Sequence, residues 1–295
     1  MLTESPATPV REFVLRFAPE ALRPTAAALF TVERELAATA RDGLDHSVAH
    51  ARLDWWDEEL ERLAVAAPRH PATRALAAAA AAARRSPPDL RSLVEATRIE
   101  VARVAFLDRA EFDAYLAHWS GSVFRTLALA GMPGDDPRNA EAERFVATAG
   151  PVLREIELLA AVTRHALAGR VFVPLGDPPA PHTPWTREPL DSAEAERLRS
   201  RLLDLRSTLR SAAAALHTSS RPALAAPLVW SALALRTTAA CDAALPGIPQ
   251  PARFEPLRRN LLAWRTAVAV ARGRLPHGLA TGTGLHLYDP ALLTT

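Results

Sequence analysis

The stretch Arg52-Leu53-Asp54-Trp55-Trp56-Asp57-Glu58-Glu59-Leu60-Glu61-Arg62-Leu63 decides the fold class. Leu53, Trp56, Leu60 and Leu63 step by three and four, which puts them on one face of an α-helix. Working outward, the same period recurs and no convincing alternating strand interrupts it. Towards the N-terminus, Pro24 followed by Thr25 as cap opens a helix carrying Leu29, Val32 and Leu36. Towards the C-terminus, Pro71 starts a helix that the alanine run 77–83 propagates and Ser86-Pro87-Pro88 stops. Another passes through Leu93 and Val101. The next shows Phe112, Leu116, Trp119, Val123 and Leu127 and stops at Gly131, Pro133 and Gly134.

Asp136 and Pro137 begin what reads as the longest helix, with Phe145, Val152, Ile156, Leu159 and Val162 inward, running to about Ala168. Residues 174–189 hold six prolines, so helix cannot continue there and a loop or lid is expected. Asp191 with Glu194 forms a cap pair for the following helix. Helices over roughly 223–243 and 256–273 complete the core. The last shows an apolar stripe of Leu257, Leu261, Trp264, Val268 and Ala271 opposite a basic side. The expectation is an all-α protein, a single large helical bundle over 1–295 with its core at about 25–273.

Composition narrows the function classes. Hydrophobic residues are 49% and charged residues 23%, as in ordinary globular chains. All 35 basic residues are arginine, which a base-composition bias explains, and the net charge of +2 gives no field for bulk nucleic-acid binding. A single cysteine, Cys241, excludes an intrachain disulfide and a cysteine-based zinc site. The segment from Val10 to Phe17 lacks the pattern of a secretory signal, and no apolar run approaches the length of a bilayer span. A cytoplasmic protein with at most peripheral membrane contact is expected. Nucleophile elbows, phosphate loops and dinucleotide fingerprints are absent.

Several of these segments resemble, in order, landmarks of the squalene/phytoene synthase family. Arg52 to Leu60 is similar to its arginine-leucine-x-tryptophan-tryptophan helix, and Arg69-His70-Pro71 to the histidine-proline that follows. Tyr115-Leu116 with Gly121 and Val123 resembles its central helix. Gly169-Arg170-Val171-Phe172-Val173-Pro174 is similar to the segment closing its second catalytic helix. The resemblance implies an isoprenoid synthase fold around a central cavity. It also implies head-to-head joining of two prenyl diphosphates, with carboxylates four residues apart on two facing helices holding Mg²⁺.

Those carboxylate pairs are missing. After Arg34 the chain has Glu35, Leu36, Ala37, Ala38 and Thr39, so Glu33 is followed four residues later by Ala37 and Glu35 by Thr39. Counting back from Gly169-Arg170 puts the second pair at Ala161 and His165, neither of which suits a hard cation. The expectation is a degenerate homologue without cofactor, acting by binding either a protein partner or an isoprenoid or lipid ligand. Its lost clusters resemble those of the mitochondrial complex I assembly factor of this fold. The alternative is an active Mg-dependent prenyl transferase, alone or as half of a heteromer.

Candidate residues at the cavity mouth are Arg34, Glu35, Arg52, Asp54, Arg164, His165 and Arg170. An arginine fork can hold a diphosphate or carboxylate without metal, and structural pairing of Arg34, Arg164 and Arg170 with Glu33, Glu35 and Glu157 is the plainer account. His165 suits a helix C-terminus as well as a ligand role. Asp54 with Glu58 and Asp57 with Glu61 have helical spacing, but the apolar side drawn through Leu53, Trp56 and Leu60 turns most of them to solvent. Asp54 can pair with Arg52 or with an arginine of a neighbouring helix. Trp55, Trp56, Trp119, Trp230 and Trp264 offer aromatic walls for a carbocation or, more simply, core packing. The arginines of the last helix suit an anionic lipid surface or are ordinary surface charge.

Overall fold

The computed structural model of the protein describes residues 8–40, 44–102, 106, 108–162, 165, 173–174, 190–247 and 256–280. Among these residues there is no strand. Ten α-helices follow in order: α1 Thr8–Phe17, α2 Arg23–Thr39, α3 His46–Ala64, α4 Pro71–Ala82, α5 Arg91–Ala102, α6 Arg109–Leu129, α7 Asn139–Ala160, α8 Ser192–Ala214, α9 Ala225–Ala244 and α10 Pro256–Ala271. The proline-rich segment expected at 174–189 lies outside the described residues from 175 onward.

Local chemistry explains most of the boundaries. Asp45 caps α3 by accepting from the Ser47 N–H at 2.8 Å, and Asp108 caps α6 through the Glu111 N–H at 2.9 Å. Asp191 and Glu194 form a reciprocal capping box on α8, at 2.7 and 3.1 Å, as their spacing predicts. Pro24 sits in the first turn of α2, where its missing N–H costs nothing, so the helix begins at Arg23 and Thr25 is already inside it. The stretch Val10 to Phe17, read in the sequence only for the absence of a secretory signal, is a helix of its own.

α7 ends at Ala160, and at 22 residues it is one residue shorter than α8; of the expected continuation to about Ala168, Val162 and His165 are helical, and residues 163, 164 and 166–168 lie outside the described residues. Likewise α4 stops at Ala82, before the expected Ser86, with Arg84 at φ 52°.

One apolar cluster runs through the bundle from Val10 to Leu279. α6 lies near its centre and packs against α2, α5, α7 and α9. α6 and α7 approach closely because Gly150 lacks a side chain: a Cβ there would stand 2.5 Å from Ser120 Cβ. α9 is buried on nearly every side, which accounts for its uniform apolarity. The helical stretch Arg221–Ala244 is long and apolar enough to cross a membrane by composition alone, yet 78% of its apolar window is buried within the bundle.

Partly buried ion pairs tie the helices. Arg206 of α8 donates to Thr238 O at 2.7 Å and to Asp242 at 3.0 Å on α9. Glu155 of α7 accepts bidentate bonds from Arg109 of α6 and Arg201 of α8, all between 2.6 and 3.0 Å. α10 departs from expectation in orientation. Its stripe of Leu257, Leu261 and Trp264 faces solvent, and Ala263, Thr266 and Val270 on the other side are the buried ones.

Candidate functional site

The landmark residues of α3 and α4 form a joint between the two helices. Glu59, fully buried, accepts the Arg69 and His70 N–H groups at 2.8 and 2.7 Å and the Thr73 hydroxyl at 2.5 Å. These groups surround the first turn of α4, where a carboxylate is favoured by exposed N–H groups and the helix dipole. Burial works against the charge of Glu59, but bonds from Thr73, the His70 N–H, Arg62 and the Arg69 N–H prevail and hold its pKa below the ordinary value. The buried Trp56 ring lies 5.2 Å from His70, which itself caps α4 through Nδ1 and the Ala72 N–H. Trp55 is 43% exposed and Trp264 52% exposed, so core packing holds for Trp56, Trp119 and Trp230 but not for these two.

The interior between α2 and α7 is occupied by a guanidinium. Arg11 of α1 is buried and forks onto Glu33 of α2, Nε to Oε2 at 2.7 Å and Nη2 to Oε1 at 2.5 Å. Its Nη1 donates to Glu157 Oε1 of α7 at 2.6 Å, and Nη2 reaches Oε2 at 3.2 Å. The guanidinium carbon stands 4.5 Å from the Trp230 ring centroid and 5.6 Å from that of Trp119. Trp119 also donates its indole N–H to Glu33 Oε1 at 3.2 Å. Burial disfavours the charge on Arg11, yet Glu157 and Glu33 outweigh burial and raise its pKa further above the ordinary arginine value. The aromatic walls considered for a carbocation therefore flank a resident cation.

Beside it, Arg154 of α7 donates to Glu100 of α5 at 2.6 Å, to the Tyr115 hydroxyl at 2.8 Å and to Glu157 at 3.3 Å. The Tyr115 hydroxyl donates to Glu100 at 2.6 Å. Burial, opposed by Arg154 and assisted by Glu100, pushes this phenol well above its usual value, so it stays protonated. Six helices, counting α9 through Trp230, thus meet around two guanidiniums and three carboxylates.

These residues do not fit Mg²⁺. Glu33 and Glu157, the carboxylates turned inward, each accept from arginine. Four residues on stand Ala37 of α2 and Ala161, just past the end of α7, which carry no side-chain oxygen, and Thr39 spends its hydroxyl on the Glu35 carbonyl at 3.2 Å. Among the described residues no group of three or more histidine, cysteine, aspartate or glutamate side chains is placed to hold a metal ion.

The residues proposed for the cavity mouth scatter. Arg34 and Arg52 are exposed on α2 and α3. Glu35 approaches His70 Nε2 at 3.5 Å, which joins α2 to the start of α4. Asp54 pairs with Arg98 of the neighbouring α5 at 3.0 Å, and Arg98 also binds Asp57. Glu58 and Glu61 are exposed. His165 is half-buried, and its N–H donates to the Ala161 carbonyl at 3.0 Å. Arg164, Arg170 and the segment from Gly169 to Phe172 lie outside the described residues. Among the described residues, Glu33 and Glu157 pair with arginine through Arg11 and Arg154.

A family model described as squalene/phytoene synthase matches residues 11–247. The chain belongs to the squalene/phytoene synthase family. Neither the curated proteins nor the solved structures return a significant match. For this family member the match begins at Arg11, so the helix that supplies the internal guanidinium opens the matched region, and it closes just after α9.

Proposed function

We propose that this member of the squalene/phytoene synthase family does not join prenyl diphosphates and acts by binding, as a cytoplasmic partner protein or as a holder of an isoprenoid-like ligand. The observation that carries this reading is the Arg11 bridge. One tethered guanidinium satisfies the inward carboxylates of both facing helices, where a synthase would need free carboxylates to gather several Mg²⁺ ions. A guanidinium fixed in the chain cannot travel with a leaving diphosphate. Residence in a reducing compartment agrees with the one cysteine, since burial pushes the Cys241 thiol up to about 11 and leaves it unreactive.

The test is incubation of the purified chain with farnesyl or geranylgeranyl diphosphate and Mg²⁺, following pyrophosphate release. No release above the protein-free control is expected, and turnover abolished by a chelator would overturn the proposal. A thermal shift with the same diphosphates, with and without Mg²⁺, separates the two binding roles. Stabilisation independent of metal identifies a ligand holder, because a ligand that binds only the folded state raises its melting temperature.

A further inference from the structure

We propose that α10 is a docking helix that lies on an anionic lipid bilayer. α10 has two apolar faces. Ala263, Thr266 and Val270 are fully buried against the bundle, while Leu257, Leu261 and Trp264 on the opposite side are 80%, 52% and 52% exposed. With 3.6 residues per turn, Val268 and the exposed Ala271 continue that outer stripe, so it extends over about four turns. Single exposed leucines are unremarkable, but a continuous stripe on a packed helix is the signature of a surface that meets something apolar.

Charge selects the occupant. Arg258, Arg265 and Arg272 are exposed and repeat every seven residues, forming a row along one flank of the stripe. On the other flank Asn260 accepts from Arg16 of α1 at 2.8 Å, which sets a further cation beside it. Residues 256–280 contain five arginines and no aspartate or glutamate. A second copy meeting this face symmetrically would bring basic rows together with no carboxylate in the segment to balance them. An anionic bilayer supplies what both features need: headgroup phosphates for the arginines, and an acyl boundary into which Leu257, Leu261 and the indole of Trp264 can sink. The inference is independent of whether the interior is catalytic.

The experiment is co-sedimentation of the full chain with sucrose-loaded vesicles of equal phosphatidylglycerol and phosphatidylcholine, against pure phosphatidylcholine, at low and high salt. Binding is expected to the anionic vesicles only and to weaken with salt. The R265Q/R272Q variant is expected to bind about thirtyfold more weakly, at about fivefold per cation near the surface. The L257A/L261A variant is expected to lose roughly tenfold. All four side chains are exposed, and unchanged melting curves would confirm that both variants fold. Failure to sediment with anionic vesicles would overturn the proposal, as would binding that neither variant weakens. A dimer seen by light scattering that L257A/L261A dissociates would also overturn it, by assigning the face to a second copy, and so would saturable binding of an acidic polypeptide without vesicle binding.

Discussion

Replacing Arg11 with alanine removes, among the described residues, the one side chain that bonds both Glu33 and Glu157. Glu33 would keep the Trp119 indole N–H at 3.2 Å, and Glu157 would keep Arg154 at 3.3 Å. Breaking one side of a buried ion pair costs about 3–5 kcal/mol, chiefly because the remaining charge is left without compensation. The lost cation–π contacts with Trp230 and Trp119 are part of that cost. For 295 residues, an unfolding entropy of about 2.1 cal/mol/K per residue turns that cost into a melting-temperature drop of roughly 5–8 °C. Differential scanning calorimetry of R11A measures it. The double variant R11M/E33Q should melt higher than R11A, since it refills the volume and removes the orphaned charge together. An R11A variant melting within about 1 °C of the parent, or a double variant no more stable than R11A, would refute the claim that the guanidinium holds α1, α2 and α7 together.

Two glycines give an opposed pair of outcomes. G150A drives a methyl into Ser120 at the α6–α7 crossing and should cost about 1–3 kcal/mol in urea unfolding. G121A meets nothing within 4 Å and should be neutral or gain up to about 1 kcal/mol from helix propensity. Equal effects would mean that the helices do not cross there. Acid should act through Glu155. Burial raises its pKa, but Arg201 and Arg109 prevail and hold it below its reference value of 4.5. Its stabilisation is therefore full above that pH and is lost as pH falls through the depressed folded value. Melting temperature followed from pH 6 down to pH 3 should fall less steeply for E155Q than for the parent, and parallel curves would exclude this residue as a source of acid lability.

The sequence discloses what is written within a few residues. The α3 stripe recurs every three to four positions, and Asp191 with Glu194 closes a capping box three apart, so both could be read directly. Arg11 could not be found this way. Its partners lie 22 and 146 residues away, and in a chain whose basic residues are all arginine no composition signal separates it from the other 34. The carboxylates on α2 and α7 are visible in the sequence, but the arginine next to Glu33, Arg34, is exposed, and the guanidinium that reaches both carboxylates comes from α1. On α10 periodicity located the apolar stripe and misjudged its direction. Alanine and valine on the inner face score as weaker than leucine and tryptophan on the outer, although close packing against α9 favours the small side chains.

The parts of this chain that declare its family are also the parts that hold it together. Trp56, His70 and Glu59 build the α3–α4 joint, and Tyr115 closes a buried network with Arg154 and Glu100. Each is needed by the bundle whether or not chemistry occurs inside it. The positions where the resemblance would place metal ligands have no such second duty, and there the chain carries Ala37 on α2 and Ala161 just past the end of α7. On the reading proposed above, with no divalent cation between them, buried carboxylates on α2 and α7 cannot remain charged without a counter-ion. Arg11 provides one that cannot diffuse away, between two tryptophan faces that favour a delocalised cation. To admit magnesium the protein would have to expel that guanidinium from a site that satisfies it on two sides, and so pull α1 from α2 and α7.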